Sequence, residues 1–105
     1  MIDTLSFDDV LLVPRYSEIF SRKDINLASN LGNQIELGLP IISSPMDTVT
    51  EDSMAIEMHN HGGLGIIHRY NSIRDQALLV KNCRSAKVGA AIGVSGDYID
   101  RARAV

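Results

Sequence analysis

Residues 62–94 read GGLGIIHRYNSIRDQALLVKNCRSAKVGAAIGV and contain two apolar runs separated by a stretch with helical spacing. The runs at 64–68 and 88–94 are continuously apolar rather than alternating, which is typical of parallel strands covered on both faces. Between them, Ser72 is placed to cap a helix over 73–82. Three apolar side chains of that helix are available for burial, namely Ala77, Leu78 and Val80. The stretch therefore predicts a strand–helix–strand unit with parallel strands.

The same rhythm continues on both sides of this unit. The run LPIISS at 39–44 predicts an earlier strand, 51–60 predicts the helix that follows it, and 97–105 predicts the beginning of a third helix. The strand starts repeat at about 25 residues, the length of one βα unit in an eight-fold barrel of about 250 residues. We therefore expect an α/β fold, the N-terminal portion of a (β/α)8 TIM barrel with about three βα units, incomplete as it stands.

Two local signals set the ends of the first helix. Thr48 and Glu51 have the Thr-x-x-Glu spacing of a capping box, and acidic residues at the helix start suit the positive end of the helix dipole. Gly62 and Gly63 follow the helix where a left-handed residue is needed.

The segment before the first predicted strand has a different character. Residues 10–13 and 24–27 indicate short extended pieces around a turn, which we expect to form a lid or plug on the barrel. No Pro-rich, low-complexity or charge-rich linker divides residues 1–105 into separate domains. Because three strands cannot close a barrel, the chain is expected to be the N-terminal piece of a longer polypeptide or to assemble with a partner that supplies the rest.

Composition excludes several classes of function. The chain has 105 residues, 45% of them hydrophobic and 22% charged, with a formal net charge of −3. This mild acidity gives no basic surface for nucleic acid or for a membrane. No apolar run is long enough to cross a bilayer, and the N-terminus lacks the pattern of a secretory signal. A lone cysteine, Cys83, excludes an internal disulfide, so we expect a reduced cytoplasmic protein.

Four stretches together resemble one family, the inosine monophosphate (IMP) dehydrogenases and guanosine monophosphate (GMP) reductases. They are LSFDDVLLVP at 5–14, SSPMDTVTE at 43–51, GGLGIIH at 62–68 and VGAAIGV at 88–94. The stretches occur in the family's order and cover nearly the whole chain. In the family's dehydrogenases a pair of regulatory CBS domains usually lies between the second helix and the third strand. Here residues 82–86 bridge that point directly, so the chain resembles members without the CBS pair.

The resemblance implies a purine-nucleotide oxidoreductase. Family members oxidise IMP with NAD, or reductively deaminate GMP with NADPH, through a cysteine in a Gly-Ser-x-Cys loop after a later strand. That loop is absent from the 105 residues, so no catalytic residue is assigned and we expect the isolated chain to be inactive. Cys83 precedes the third strand and does not replace the nucleophile; we expect an ordinary surface or helix-end thiol. The resemblance also implies a homotetramer and, in the full enzyme, a monovalent-cation site.

The resemblance assigns three binding residues. Ser44 would hydrogen-bond the phosphate or ribose of the nucleotide, and Met46 would pack against the purine base. Both follow the first strand at the end where barrel active sites form. Arg69 follows the second strand and would contact the phosphates or adenine ring of the dinucleotide. No metal ligands are assigned.

Other polar residues near these positions have structural readings. Asp47 and Thr48 are expected to hold the loop and cap the helix, and His68 to be a packed, hydrogen-bonded histidine. His59 and His61 are two positions apart, so they do not share a helix face and are poor joint metal ligands.

The glycine-rich strands have a structural reading as well. Gly63 and Gly65 lack the strand-then-helix setting of a dinucleotide fingerprint, which needs its glycines before a helix. Small residues of the third strand, Gly89, Ala90, Ala91 and Gly93, are expected to let barrel layers interdigitate.

Two activities of the family are candidates for this chain, and a third candidate function is not catalytic. SSPMDTVTE at 43–51 is closer to the dehydrogenase, whereas SRKD at 21–24 and HRY at 68–70 are closer to some reductases. Tyr70 stands where dehydrogenases usually have asparagine. The favoured reading is oxidation of IMP to xanthosine monophosphate with NAD, with GMP reduction by NADPH as the alternative. The third reading is a non-catalytic partial barrel, or half of a split enzyme, that acts by assembly.

Overall fold

The computed structural model describes residues 2–105, of which 42–105 form a three-stranded parallel sheet with helices packed against it. The strands are β1 Ser29–Asn30, β2 Glu36–Leu37, β3 Ile42–Ser43, β4 Leu64–Ile67 and β5 Val88–Ala90. The helices are α1 Asp52–Asn60, α2 Ile73–Asn82 and α3 Tyr98–Ala104. Strands β3, β4 and β5 lie side by side in that order, and β1 and β2 form a separate antiparallel hairpin.

The predicted strand–helix–strand unit is confirmed. Strand β4 pairs in parallel with β5, with Gly65 opposite Val88 and Ile67 opposite Ala90. Ser72 Oγ accepts the backbone N–H of Asp75 at 3.0 Å and caps α2 as predicted. Both strands are shorter than the predicted runs, since β4 ends at Ile67 and β5 ends at Ala90. The ladder to β5 ends with the bond from Ala91 N to the Ile67 carbonyl oxygen, at 2.9 Å.

The first helix begins differently from the prediction. Its N-cap residue is Glu51, and no side chain caps it, so the Thr48–Glu51 capping box is wrong. The Glu51 carboxylate reaches His68 instead, at 3.0 Å. The predicted end is confirmed: Gly62 has a φ of +88°, and Gly63 N donates to the Met58 carbonyl oxygen at 2.8 Å.

The core lies between the sheet and the first two helices. Ala55, Ile67 and Cys83 are buried together. Partly buried apolar side chains pack around them: Ile56, Leu79, Val80, Ala86 and Val88. Gly65 allows the close approach of α1, since a Cβ there would lie 2.6 Å from the Cα of Ala55. Cys83 ends α2 as expected but is 3% exposed, so the expectation of a surface thiol is wrong.

The lid or plug expected from the segment before β3 stays a prediction, because residues 2–105 contain no closed barrel for it to cover. Residues 10–13 belong to no strand, although Val10 has extended backbone, and Asp24 ends a 3-10 turn, Arg22–Asp24, after which Ile25 is extended. Apolar side chains of this segment such as Leu11 and Leu12 are almost fully exposed. The sequence analysis did not predict the β1–β2 hairpin. The chain after it is tied to the turn before β4, where Leu39 N donates to the Gly62 carbonyl oxygen at 3.1 Å.

Candidate functional site

The carboxyl ends of the three parallel strands define the candidate site, which we call the rim. Ser44 and Met46 follow β3, Arg69 follows β4 and Gly93 follows β5. Because the strands are parallel and adjacent, these residues share one edge of the sheet. All three binding residues implied by the resemblance, Ser44, Met46 and Arg69, are therefore on the same edge, and all three are exposed.

The loop after β3 is built around Thr50, which the sequence analysis missed. Thr50 is fully buried, and its Oγ1 donates to the Ser44 carbonyl oxygen at 2.7 Å. The same hydroxyl is hydrogen-bonded to Ser43 Oγ at 2.9 Å. Met46 N also donates to the Ser44 carbonyl oxygen, at 2.8 Å. These bonds fix the backbone of Ser44 and leave Met46, 51% exposed, on the outer side of the loop.

The expected loop-holding residues have a smaller part. Asp47 and Thr48 are exposed in a turn, and neither caps α1. The turn is closed by Met46, whose carbonyl oxygen accepts from Val49 N and Thr50 N, each at 3.0 Å. The sequence shows only a threonine close to the start of α1. It does not show whether that hydroxyl is buried or solvated, so it gave no signal that singled out Thr50.

His68 is the packed, hydrogen-bonded histidine that the sequence predicted. It is 3% exposed, its Nε2 lies 3.0 Å from a Glu51 carboxylate oxygen, and its Nδ1 accepts the backbone N–H of Tyr70 at 3.1 Å. An imidazole nitrogen that accepts a backbone N–H carries no proton, so Nε2 holds the ring proton and donates it to Glu51. This pair joins the end of β4 to the beginning of α1 and fixes the backbone on both sides of Arg69.

Arg69 extends across the rim to the segment after β5. A Cβ built on Gly93 would lie 3.3 Å from Arg69 Nη1, so the guanidinium occupies the space above this glycine. The close contacts between basic and acidic side chains in residues 2–105 involve other residues: Arg101 pairs with Asp97, and the imidazoles of His61 and His68 lie beside glutamate carboxylates. Arg69 thus presents a charged, exposed guanidinium at the rim, with no carboxylate within residues 2–105 in ion-pair contact.

A buried polar network lies behind the rim, and sequence reasoning did not predict it. Gln76 is fully buried in α2, and Arg101 of α3 is 7% exposed. Arg101 Nη1 donates to Gln76 Oε1 at 3.0 Å. Leu78, offered by the sequence as a buried residue, is exposed instead. The helix thus turns a polar side chain inward, which the apolar spacing of α2 does not reveal.

The histidines at the end of α1 make separate hydrogen bonds to the backbone. His61 is exposed and its Nδ1 bonds to the Glu57 carbonyl oxygen at 2.9 Å, whereas His59 Nδ1 accepts from Lys87 N at 3.2 Å. Residues 2–105 contain no group of three or more His, Cys, Asp or Glu side chains arranged for a metal ion.

Burial, with a smaller effect from the Asp52 carboxylate, raises the pKa of the Cys83 thiol and suppresses its nucleophilic thiolate form.

Within residues 2–105, no helix is both long and apolar enough to span a membrane. The parallel sheet with its packed helices defines an α/β protein, the class in which ligands typically bind at the carboxyl ends of the strands. The comparisons with known proteins specify the family.

A family model described as "IMP dehydrogenase / GMP reductase domain" matches residues 4–105. The chain is 47% identical over 96 residues to an inosine-5'-monophosphate dehydrogenase from Nitrosopumilus maritimus, covering 89% of this chain and 20% of the relative. It is 45% identical over 83 residues to a GMP reductase from Leishmania donovani, covering 79% and 17%. The crystal structure of an inosine 5' monophosphate dehydrogenase from Legionella pneumophila superposes with a TM-score of 0.79 at 40% identity, covering 93% of this chain and 30% of that one.

The chain belongs to the IMP dehydrogenase / GMP reductase domain family, as the sequence resemblance indicated. It spans about a fifth of the length of the curated relatives it matches.

Proposed function

We propose that this chain forms one wall of the site of a purine-nucleotide oxidoreductase that oxidises IMP to xanthosine monophosphate with NAD. One observation carries the proposal: Ser44, Met46 and Arg69 lie together at the carboxyl edge of a parallel sheet, where barrel enzymes bind their substrates. The motif at 43–51, which includes two of these residues, is closer to the dehydrogenases.

In this proposal Ser44 and Met46 bind the nucleotide. The Thr50 hydroxyl holds the Ser44 carbonyl oxygen at 2.7 Å, so the Ser44 backbone is fixed before the ligand arrives. A fixed backbone lowers the entropy lost when the Ser44 hydroxyl binds a phosphate or ribose oxygen. The flexible, polarisable thioether of Met46 suits contact with a flat purine, and its half-exposed side chain is available for that contact.

Arg69 is proposed to bind the dinucleotide. Its guanidinium lies at the rim above Gly93 without a carboxylate partner within residues 2–105, so it fits the phosphates or the adenine ring of NAD. NAD, when bound, accepts the hydride. The residues of this chain orient the two ligands, and the nucleophilic cysteine is proposed to come from outside the 105 residues.

GMP reduction with NADPH is the second candidate. Its support is Tyr70 in the HRY stretch at 68–70, together with the 45% identity to a reductase. Tyr70 is exposed and its ring stacks near His68, with centroids 6.1 Å apart, so it presents an aromatic face beside Arg69.

The proposal also covers the domain content of the chain, its activity in isolation and its assembly. We propose that no CBS pair lies between α2 and β5, because five residues, 83–87, connect them. The 105 residues alone are proposed to be inactive, and the working protein to be a cytoplasmic homo-oligomer. Strands β3 and β5 are both unpaired on their outer sides within residues 2–105, which favours completion by further βα units, from the same polypeptide or from a complementing one.

The first measurement is the intact mass of the polypeptide in its native source. A mass about three times 11.5 kDa supports an intact barrel enzyme. A mass near 11.5 kDa supports assembly with a complementing chain. The natural protein, with its complementing chain if one exists, is then assayed with IMP and NAD and with GMP and NADPH. Turnover of the second pair alone replaces the dehydrogenase proposal with the reductase, and turnover of neither pair supports the non-catalytic reading.

Matched variants test the residue roles. Met46→Ala is compared with Met54→Ala, which truncates a methionine of α1 that is 40% exposed. Arg69→Met is compared with Arg103→Met on the exposed side of α3. We expect Met46→Ala to raise the KM for the nucleotide and Arg69→Met to raise the KM for the dinucleotide, each about tenfold, or about 1.4 kcal/mol. Equal effects in the control variants contradict these assignments.

A further inference from the structure

We propose that Arg101 is a positioning residue whose buried guanidinium sets the distance between two segments of the rim and thereby holds Arg69 above Gly93. The proposal rests on the role of Arg69 toward the dinucleotide given above, and adds the part of the chain that places it. Arg101 itself lies behind the rim and is not proposed to touch either ligand.

The guanidinium of Arg101 holds the segment after β4. Its Nη2 donates to the Asn71 carbonyl oxygen at 2.9 Å, and its Nη1 lies 3.4 Å from Asn71 Oδ1. Nη2 also contacts Asp97 Oδ2 at 3.3 Å, which places a carboxylate beside the buried charge. Asn71 is only two residues beyond Arg69, so the guanidinium fork fixes the backbone from which Arg69 extends.

Gln76 connects the same guanidinium to the segment after β5. Gln76 Oε1 accepts from Arg101 Nη1 at 3.0 Å, and its Nε2 donates to the Ala91 carbonyl oxygen at 2.7 Å. Ala91 is two residues before Gly93. Arg101 and Gln76, which we call the clamp, therefore join a point two residues after Arg69 to a point two residues before Gly93.

The position of the Arg69 guanidinium depends on this distance. Gly93 lets Nη1 lie close to the backbone, since a built Cβ would be 3.3 Å away and would displace the guanidinium slightly. Within residues 2–105 the head of Arg69 has no ion pair, so the separation of the two backbones sets the space available to it over Gly93. A clamp with both of its polar side chains buried supplies that rigidity, because each donor and acceptor in it costs free energy if it separates from its partner.

The test is a double-mutant cycle on the natural polypeptide that carries these residues. Arg101→Met and Arg69→Met are made singly and together, and the dissociation constants of the dinucleotide and of the nucleotide are measured by calorimetry. We expect Arg101→Met to weaken dinucleotide binding about tenfold and to change nucleotide binding less than about twofold. In the Arg69→Met background, Arg101→Met is expected to have no further effect on dinucleotide binding.

Two further variants separate positioning from general stability. Gln76→Glu keeps the contact with Arg101 but presents an acceptor to the Ala91 carbonyl oxygen, so it breaks the β5 side of the clamp alone. It is expected to weaken dinucleotide binding in the same direction, and it decides the proposal if Arg101→Met fails to fold. Arg101→Lys keeps the charge beside Asp97 without the planar fork, and is expected to restore part of the affinity.

The outcomes distinguish the two proposals. If Arg69→Met leaves dinucleotide affinity unchanged, or if the parent protein binds no dinucleotide, the proposed role of Arg69 is wrong and the clamp proposal is overturned with it. If Arg69→Met weakens binding but the loss from the clamp variants is the same with and without Arg69, Arg101 has a structural role only. Only the clamp proposal is then overturned.

Discussion

The N-terminal arm, residues 2–27, and the βα half, residues 39–105, contain similar apolar residues in opposite environments. In the arm, Phe7, Leu11 and Leu12 are at least 95% exposed, whereas Ala55 and Ile67 of the βα half are fully buried. The arm holds only local hydrogen bonds, such as the one from Ser6 N to Asp9 Oδ2 at 2.9 Å. Apolar content therefore does not decide burial; a strand needs a neighbouring strand and a covering helix, and only the βα half provides both within residues 2–105.

The largest expected effect tests this contrast directly in the natural polypeptide. Ile67→Ala removes a fully buried side chain from the core and is expected to lower the free energy of unfolding by about 3 kcal/mol. Leu12→Ala, the matched change in the arm, is expected to stay within about 0.5 kcal/mol. Urea unfolding measures both. A comparable loss in the arm would show that Leu12 packs against a surface outside the described residues.

A second pair compares two glycines of the sheet. Gly65→Ala places a Cβ 2.6 Å from the backbone of Ala55, where the helix must move, and is expected to cost about 2 kcal/mol. Gly89→Ala meets only the end of the Ile66 side chain, at 2.5 Å, which can change rotamer. It is expected to cost less than about 1 kcal/mol. Thermal unfolding of the two variants gives the order, and a reversed order would contradict the packing of α1 on β4.

A third pair compares helix caps in the two regions. Ser72 Oγ caps α2 at 3.0 Å, and Ser72→Ala is expected to lower stability by about 1 kcal/mol. Ser21 makes a similar bond in the arm, to Lys23 N at 3.3 Å, in a turn that packs against nothing in the described chain. Ser21→Ala is expected to change stability by less than about 0.5 kcal/mol, measured by urea unfolding. An equal loss in the two variants would remove the distinction between the regions.

The pH dependence of the core follows from Cys83. Burial raises the pKa of its thiol above the ordinary value of 9.0. The folded state holds the proton more tightly than the unfolded state, so this stabilisation is complete below pH 9 and is lost as the pH rises through the folded pKa. The urea midpoint is expected to fall above pH 9, and less so in Cys83→Ala. An identical pH profile in that variant would assign the loss to other groups.

The smallest expected effect lies in the arm. Hydrogen bonds from Ser6 lower the pKa of the Asp9 carboxyl below its ordinary value of 3.8. The ionised carboxylate therefore supports the turn at neutral pH, and this support is lost as the pH falls through the lowered pKa. Carboxyl NMR titration measures the pKa, which is expected to rise in Ser6→Ala. An unchanged pKa in that variant would mean that the turn is not formed in solution.

The parts that the sequence predicted are those whose signals are local. Ser72 and the spacing of 73–82 identified α2 with its observed bounds, and the continuous apolar runs predicted parallel pairing. The hairpin was missed because its strands have two residues each and its turn places Asn33 and Gln34 at positive φ in addition to Gly32. A two-residue strand has no measurable period.

The missed parts of the site depend on partners far apart in the sequence. Glu51 was assigned to its own helix start, but His68, 17 residues later, binds its carboxylate. Gln76 and Arg101 are 25 residues apart, and each alone has the appearance of a solvated helix residue. The rim positions of Ser44, Met46 and Arg69 could be predicted because strand ends follow from the strands, whereas the hydrogen bonds that hold them could not.

The connection between α2 and β5 is a place where the fold is expected to tolerate an inserted domain. Cys83 anchors one end in the core, and Lys87 N anchors the other through its bond to His59 Nδ1 at 3.2 Å. Arg84 and Ser85, between the anchors, are exposed. A foreign module spliced between these two residues would leave both anchors and the sheet register in place. The fold thus separates this exposed connection, before β5, from the rim at the opposite ends of the strands.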